Sequence, residues 1–270
     1  MSSAFFLPAE PGNRFCVYHP PAGGGTGHGF VYVHPFCEEM NKSRRMAAQQ
    51  SRRLAAAGFA VLQVDLFGCG DSSGDFADAT WEAWKQDVRL AVHWLRSQVQ
   101  GPTSLWGLRL GATLAADIAR DPAMAIDQLV LWQPVANGER FMTQFLRLRL
   151  AAEMLADGAA QTGVKELRKT LAGGTALEIA GYDLHPRLAA DIDALKLADL
   201  MPDVKRVHWM EVAATAEAAL APASRALLDG WQSRGMDIRA TAVNGEPFWS
   251  TIEVTECEAL LAATEDSLVR

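Results

Sequence analysis

The chain has 270 residues, 49% of them apolar and 21% charged, which is ordinary for a globular protein and allows one large α/β domain or one domain with an inserted cap. A formal charge of −7 leaves no basic excess to neutralise phosphates, so a general nucleic-acid binder is excluded. No apolar run reaches the ~18 residues that a membrane span needs. Met1 to Leu7 is too short and too polar at its start for a signal peptide. Cys16, Cys37, Cys69 and Cys257 are scattered, with neither the density of a disulfide scaffold nor zinc-ribbon spacing. A cytoplasmic protein is expected, with reduced thiols, no metal, no cofactor and no membrane insertion.

In chain order, Phe5 to Leu7 and Arg14 to His19 read as two edge strands, separated by Pro8 and Pro11-Gly12. Gly29 to His34 is continuously apolar, as in a central strand covered on both faces. A helix is expected from about Ser43 to Ala57, stopping at Gly58, and a strand from Phe59 to Leu66. The Gly- and Ser-rich loop Gly68 to Gly74 follows. Thr80 caps a helix from Trp81 to about Val99, with Trp81, Trp84, Val88, Ala91 and Leu95 at helical spacing. Ser104 to Trp106 is a strand, Leu110 to Ala119 a helix, and Asp127 to Trp132 a strand. Helices are expected at Phe141 to Leu155 and Leu188 to Leu200, with a short strand at Ala176 to Ile179. Arg206 to Glu211 resumes the sheet, followed by a helix Pro222 to Gly230, a strand Asp237 to Val243 and a helix Thr251 to Ala263.

Strand and helix alternating at this rhythm imply right-handed crossovers and a parallel sheet. Such sheets bind ligands at the carboxyl ends of their strands, where His34 to Glu38, Asp65 to Ser73, Arg109 and Gln133 all fall. The rhythm breaks at residues 137–202, which reads as a helical cap inserted between two parts of one core, 1–136 and 203–270. Within the core, Gly107-x-Arg109-x-Gly111 has the layout of a nucleophile elbow, a sharp strand–turn–helix corner that pushes its middle residue into the active site. That residue is usually Ser in hydrolases; here it is Arg109.

Several features together resemble the α/β-hydrolase superfamily: the His34-Pro35 loop, Asp65-x-x-Gly68-x-Gly70-x-Ser72, the elbow, a cap after the sixth strand, and Pro222 leading the penultimate helix. Four phrases are similar to the second type of exosortase A system-associated hydrolase. They are His34-Pro35-Phe36-x-Glu38-Glu39-x-Asn41-Lys42-Ser43-Arg44-Arg45, Gly68-Cys69-Gly70-Asp71-Ser72-Ser73-Gly74-Asp75-Phe76, Trp106-Gly107-Leu108-Arg109-Leu110-Gly111 and Gly245-Glu246-Pro247-Phe248-Trp249. The resemblance covers nearly the whole chain. It implies an α/β-hydrolase fold, a doubly wound, mostly parallel sheet of about eight strands with a helical cap. It also implies a bacterial system for PEP-CTERM protein sorting and exopolysaccharide production.

A Ser-His-acid triad needs a nucleophile, a base and a carboxylate that holds the base. Arg109 stays protonated and cannot attack a carbonyl. The turn after the last strand holds Gly245 to Trp249 and no histidine, and His208 is the final histidine of the chain. The acid position offers Glu211 or Glu217. Two uses of these residues stand. In the first, an enzyme acts on an acyl, ester or thioester substrate. Arg109 binds the anion or oxyanion, Glu38 and Glu246 do acid–base work, and His34, Cys37 and Glu211 assist. In the second, an inactive module keeps the pocket, and Arg109 holds an anionic small molecule or a partner peptide. A buried Arg also calls for an internal partner, and Glu38, Glu211 and Glu246 are the candidates.

Overall fold

Ser3–Pro8 (β1) and Asn13–His19 (β2) pair antiparallel, and they lead into the parallel strands Gly29–Val33 (β3), Ala60–Val64 (β4), Thr103–Leu108 (β5) and Gln128–Trp132 (β6). A small separate hairpin, Leu177–Ile179 (β7) with Tyr182–Leu184 (β8), precedes Arg206–Ala213 (β9) and Ile238–Asn244 (β10). The main sheet has eight strands in the order β1-β2-β4-β3-β5-β6-β9-β10. The computed structural model describes residues 1–157, 162–215 and 217–269. β2 is not an edge strand: β4 pairs on its other side, antiparallel, so only β1 closes that end.

The helices are Glu38–Ala56 (α1), Trp81–Gln98 (α2), Leu110–Ile118 (α3), Gly138–Asp157 (α4), Val164–Ala172 (α5), Pro186–Asp193 (α6), Pro222–Ser233 (α7) and Glu258–Val269 (α8). α1 and α8 cover one face of the sheet, and α2, α3 and α7 the other. β3 is apolar throughout because both faces are buried: Phe30 and Tyr32 join one apolar cluster, Val31 and Val33 the other. Thr80 caps α2 by accepting from the Ala83 N–H at 3.1 Å. A buried pair fastens β2 to α2: Arg14 Nε donates to Asp87 Oδ1 at 2.6 Å, and the Phe67 N–H donates to Asp87 Oδ2 at 2.6 Å.

α1 starts at Glu38, five residues before the start expected at Ser43. Cys37 turns the chain with a φ of 48°, and Glu38 and Glu39 fill the first turn, where the helix dipole favours acidic side chains. This start of the helix decides which glutamate pairs with Arg109. Between β6 and β9 the chain leaves the sheet for α4, α5, the β7–β8 hairpin and α6. An isolated bridge between Asn137 and Lys196 joins the two ends of that excursion.

Candidate functional site

Arg109, between β5 and α3, has φ 55° and ψ −120°, a conformation that side-chain-bearing residues rarely adopt and that costs about 1–3 kcal/mol. The surroundings enforce it. The Arg109 N–H donates to Trp132 O at 2.9 Å, and its carbonyl accepts from the Ala112 N–H at 3.1 Å. A Cβ on Gly111 would lie 2.3 Å from His34 O and 2.4 Å from Val33 O, so only glycine lets α3 leave this close to the end of β3. Cys37 repeats the backbone conformation of Arg109, with φ 48° and ψ −128°. The N-termini of α1 and α3 therefore lie side by side at the carboxyl end of the sheet; in α1 the Glu39 and Met40 N–H groups already donate to Phe36 O at 3.1 Å and Cys37 O at 3.0 Å.

Above them lies a cavity of about 290 Å³. Its polar floor is Glu38, Glu39 and Arg109. Phe36 and the α4 residues Phe141 and Phe145 wall one side, Trp249 and Ser250 the other, and Gln144 and Leu148 stand at the mouth. Arg109 Nε donates to Glu39 Oε1 at 3.1 Å. The guanidinium carbon lies 5.5 Å from the Trp249 ring centre and 5.9 Å from that of Phe141, so two aromatic faces hold it. Among the described residues the two Nη groups make no hydrogen bond. Burial pushes the Glu39 carboxyl up to about 6, against the pull of the Arg109 charge. Burial raises Glu38 as well. Oε2 of each glutamate is shut off from solvent and accepts no hydrogen bond.

The partner of Arg109 is thus Glu39, not Glu38, Glu211 or Glu246. Glu211 is spent elsewhere: Oε1 accepts from Trp209 Nε1 at 3.0 Å and Oε2 from the Ala221 N–H at 2.8 Å. Glu246 is exposed and does not line the cavity, because the turn after β10 directs Trp249 and Ser250 inward instead. Glu38 lines the cavity as expected, beside Glu39.

His34 has no lone pair for a nucleophile. Its Nδ1 lies 2.7 Å from Pro35 O and its Nε2 accepts from the Leu66 N–H at 3.1 Å, which fixes a neutral tautomer. Burial lowers its pKa further. Cys37 is buried, and burial drives its thiol well above the ordinary range, the reverse of an activated thiolate. His34 and Cys37 do not form a nucleophile–base pair. Ser250 reaches the cavity, but its hydroxyl donates to Pro247 O at 3.1 Å. Two Ser–His contacts occur among the described residues, His28 Nε2 with Ser104 Oγ and His19 Nδ1 with Ser2 Oγ, each at 2.8 Å, but Ser104 is fully buried where β5 begins, Ser2 and His19 belong to the β1–β2 end of the sheet, and none of the four lines the cavity. None of the six histidines lines the cavity. The partner that sequence reasoning missed, Glu39, lies inside the His34 to Arg45 phrase, and Trp249, an aromatic near a strand end that could line a pocket or pack in the core, does line the cavity.

The hydrolase family described as serine aminopeptidase, S33, matches residues 29–207, from β3 to the start of β9 and with it the Arg109 corner. The chain belongs to that family. Among curated relatives of this S33-family chain, human Protein ABHD12B is 30% identical over 155 residues, covering 49% of this chain; the chain spans 41% of that relative's length. Among solved structures, Est1E from Butyrivibrio proteoclasticus, determined with ferulic acid bound, superposes with a TM-score of 0.69 at 14% identity over 98% of both chains. XC6422 from Xanthomonas campestris, described as an α/β serine hydrolase without lid, gives 0.62 at 14% identity over 99% of this chain and 93% of that one. These likenesses establish the α/β-hydrolase fold. At the corner where the resemblance puts the family's serine, this S33 member carries Arg109. No helix among the described residues is long and apolar enough to cross a membrane.

Proposed function

We propose that this S33-family chain holds an acyl compound (a carboxylic acid, ester or thioester) over Arg109 and does not open it by serine attack. One observation carries this reading: a guanidinium occupies the nucleophile corner at the floor of an aromatic-walled cavity that no histidine lines. A guanidinium is a donor and never a nucleophile. Its two Nη groups, with the first-turn N–H groups of α3, suit a carboxylate or a carbonyl oxygen. The ion pair with Glu39 keeps the guanidinium placed when no ligand is bound. The resemblance to exosortase A system-associated hydrolases supports a role in a bacterial protein-sorting and exopolysaccharide system, in the cytoplasm.

The carboxyl of Glu39, raised to about 6, favours a second reading, in which the site is hydrolytic through water. A carboxylate with a pKa near neutrality is suited to take a proton from water, and Arg109 would steady the oxyanion that forms. Calorimetry with octanoate, alongside turnover of p-nitrophenyl butyrate and a butyryl thioester, separates the two. Binding that falls at least about tenfold in Arg109→Ala, the loss expected when a charge-assisted hydrogen-bond donor is removed, supports the holding role when no turnover appears. Turnover that Glu39→Gln abolishes would establish the hydrolytic reading instead. Octanoate binding that ignores Arg109→Ala contradicts both.

A further inference from the structure

We infer that the acyl compound is a long-chain one, whose hydrocarbon tail leaves the cavity and lies over Leu148, Ile252 and Val254. The inference rests on the acyl reading of the cavity and adds the class of its ligand. At about 290 Å³ the cavity is at the bottom of the range for small-molecule pockets, about 300–1,000 Å³, so a ligand of any length must continue outside it.

The surface outside is prepared for that. Among the described residues, five of the eight large apolar side chains left exposed sit on the two chain segments that also supply cavity residues. They are Leu148, Met154 and Leu155 on α4, and Ile252 and Val254 just after the cavity residue Ser250. On α4, Leu148, Ala151, Ala152 and Leu155 recur at helical spacing on a face turned to water, where charged residues are the norm. Ile252 is 100% exposed, yet its loop is organised: Thr251 Oγ1 lies 2.8 Å from Glu253 O and 3.2 Å from Thr255 Oγ1. An ordered turn that presents an apolar tip gains nothing from burial in the chain itself and marks a surface meant to be covered.

Continuity identifies the cover. Leu148 is at once cavity wall and outer surface, 40% exposed, and the Trp249–Ser250 wall runs directly into Ile252. The apolar surface thus starts inside the pocket, as a chain threading out of it requires. Glu253, between Ile252 and Val254, argues against an anionic bilayer as the cover, while Glu256 is paired with Arg45.

Isothermal titration with butanoate, octanoate and dodecanoate, each below its micelle-forming concentration, tests the inference. A methylene taken out of water tightens binding up to about fourfold, so a tail lying on this surface should bring a gain of at least about tenfold from octanoate to dodecanoate. The double variant Ile252→Ser/Val254→Ser, with its melting temperature checked, should cut that gain to under about threefold, because its surface no longer covers the outer methylenes. A gain that stops at octanoate in the parent protein overturns the inference while leaving the acyl cavity in place. The same gain in the double variant also overturns it. Binding of none of the three acids overturns the acyl reading underneath.

Discussion

Arg109 and Glu39 face each other because of two backbone turns that no local propensity favours, at Arg109 and at Cys37. The place of Arg109 at the corner was legible in the sequence, since the glycines at 107 and 111 bracket it in a strand–turn–helix pattern. Its partner was not. With α1 expected to begin at Ser43, Glu38 and Glu39 lay in a loop, where nothing distinguishes neighbouring side chains. Once the helix starts at Glu38, the two glutamates are about 100° apart around its axis, and only Glu39 reaches the guanidinium. The pair has a pH signature. Burial raises the Glu39 carboxyl from 4.5 to about 6, so the folded chain holds that proton more tightly than the unfolded chain. Its contribution to stability is complete below pH 4.5 and is lost as pH climbs through 6, a change of about 2 kcal/mol. In Glu39→Gln the decline in stability between pH 4.5 and 6.5 should be shallower than in the parent protein. Superimposable denaturation profiles for the two would contradict the assigned environment.

At the scale of elements, strands and helices with strong periodicity were readable from sequence almost to their ends: β3, α2 with its Thr80 cap, and α3. α5 was missed because its apolar stripe, Val164, Leu167 and Leu171, is only three residues long and sits among charges. α6 was expected to run to Leu200, but it ends at Asp193 and a separate 3-10 turn spans Leu197–Asp199. The last helix was placed too early, because the Thr251 and Thr255 side chains are spent organising the loop that carries Ile252. The meeting of α3 with β3 is the contact on which the corner depends, and it can be tested against a glycine of the opposite kind. Gly111→Ala drives a methyl into two carbonyl oxygens and should lower stability by about 3 kcal/mol or prevent folding. Gly230→Ala, inside α7 with nothing within 4 Å, should raise it by about 0.5–1 kcal/mol. Denaturant titration of both variants reads the difference; a well-tolerated Gly111→Ala would mean that α3 leaves the strand less closely than described.

For the whole molecule, the parallel sheet and its two covered faces followed from the alternation of apolar strands and amphipathic helices. What the cavity holds did not, because its lining comes from the turn after β3 and the start of α1, the corner after β5, α4 and the turn after β10, which lie far apart in sequence and meet only through the sheet order. All four cysteines are buried in this architecture, and burial raises each thiol. Iodoacetamide at pH 8 should therefore modify none of them until denaturant opens the fold, with labelling appearing in step with global unfolding; fast native labelling of Cys37 would restore it as a nucleophile candidate. The central claim, that the hydrolase corner has exchanged its attacking hydroxyl for a fixed cation, is tested most directly by treating the folded protein with a fluorophosphonate and weighing it intact. The expected mass is unchanged, for the protein as it stands and for Arg109→Ser alike, since no imidazole is in reach to activate a hydroxyl. A stoichiometric adduct on the unsubstituted protein, mapped to Ser250 or any other serine beneath α4, would contradict it.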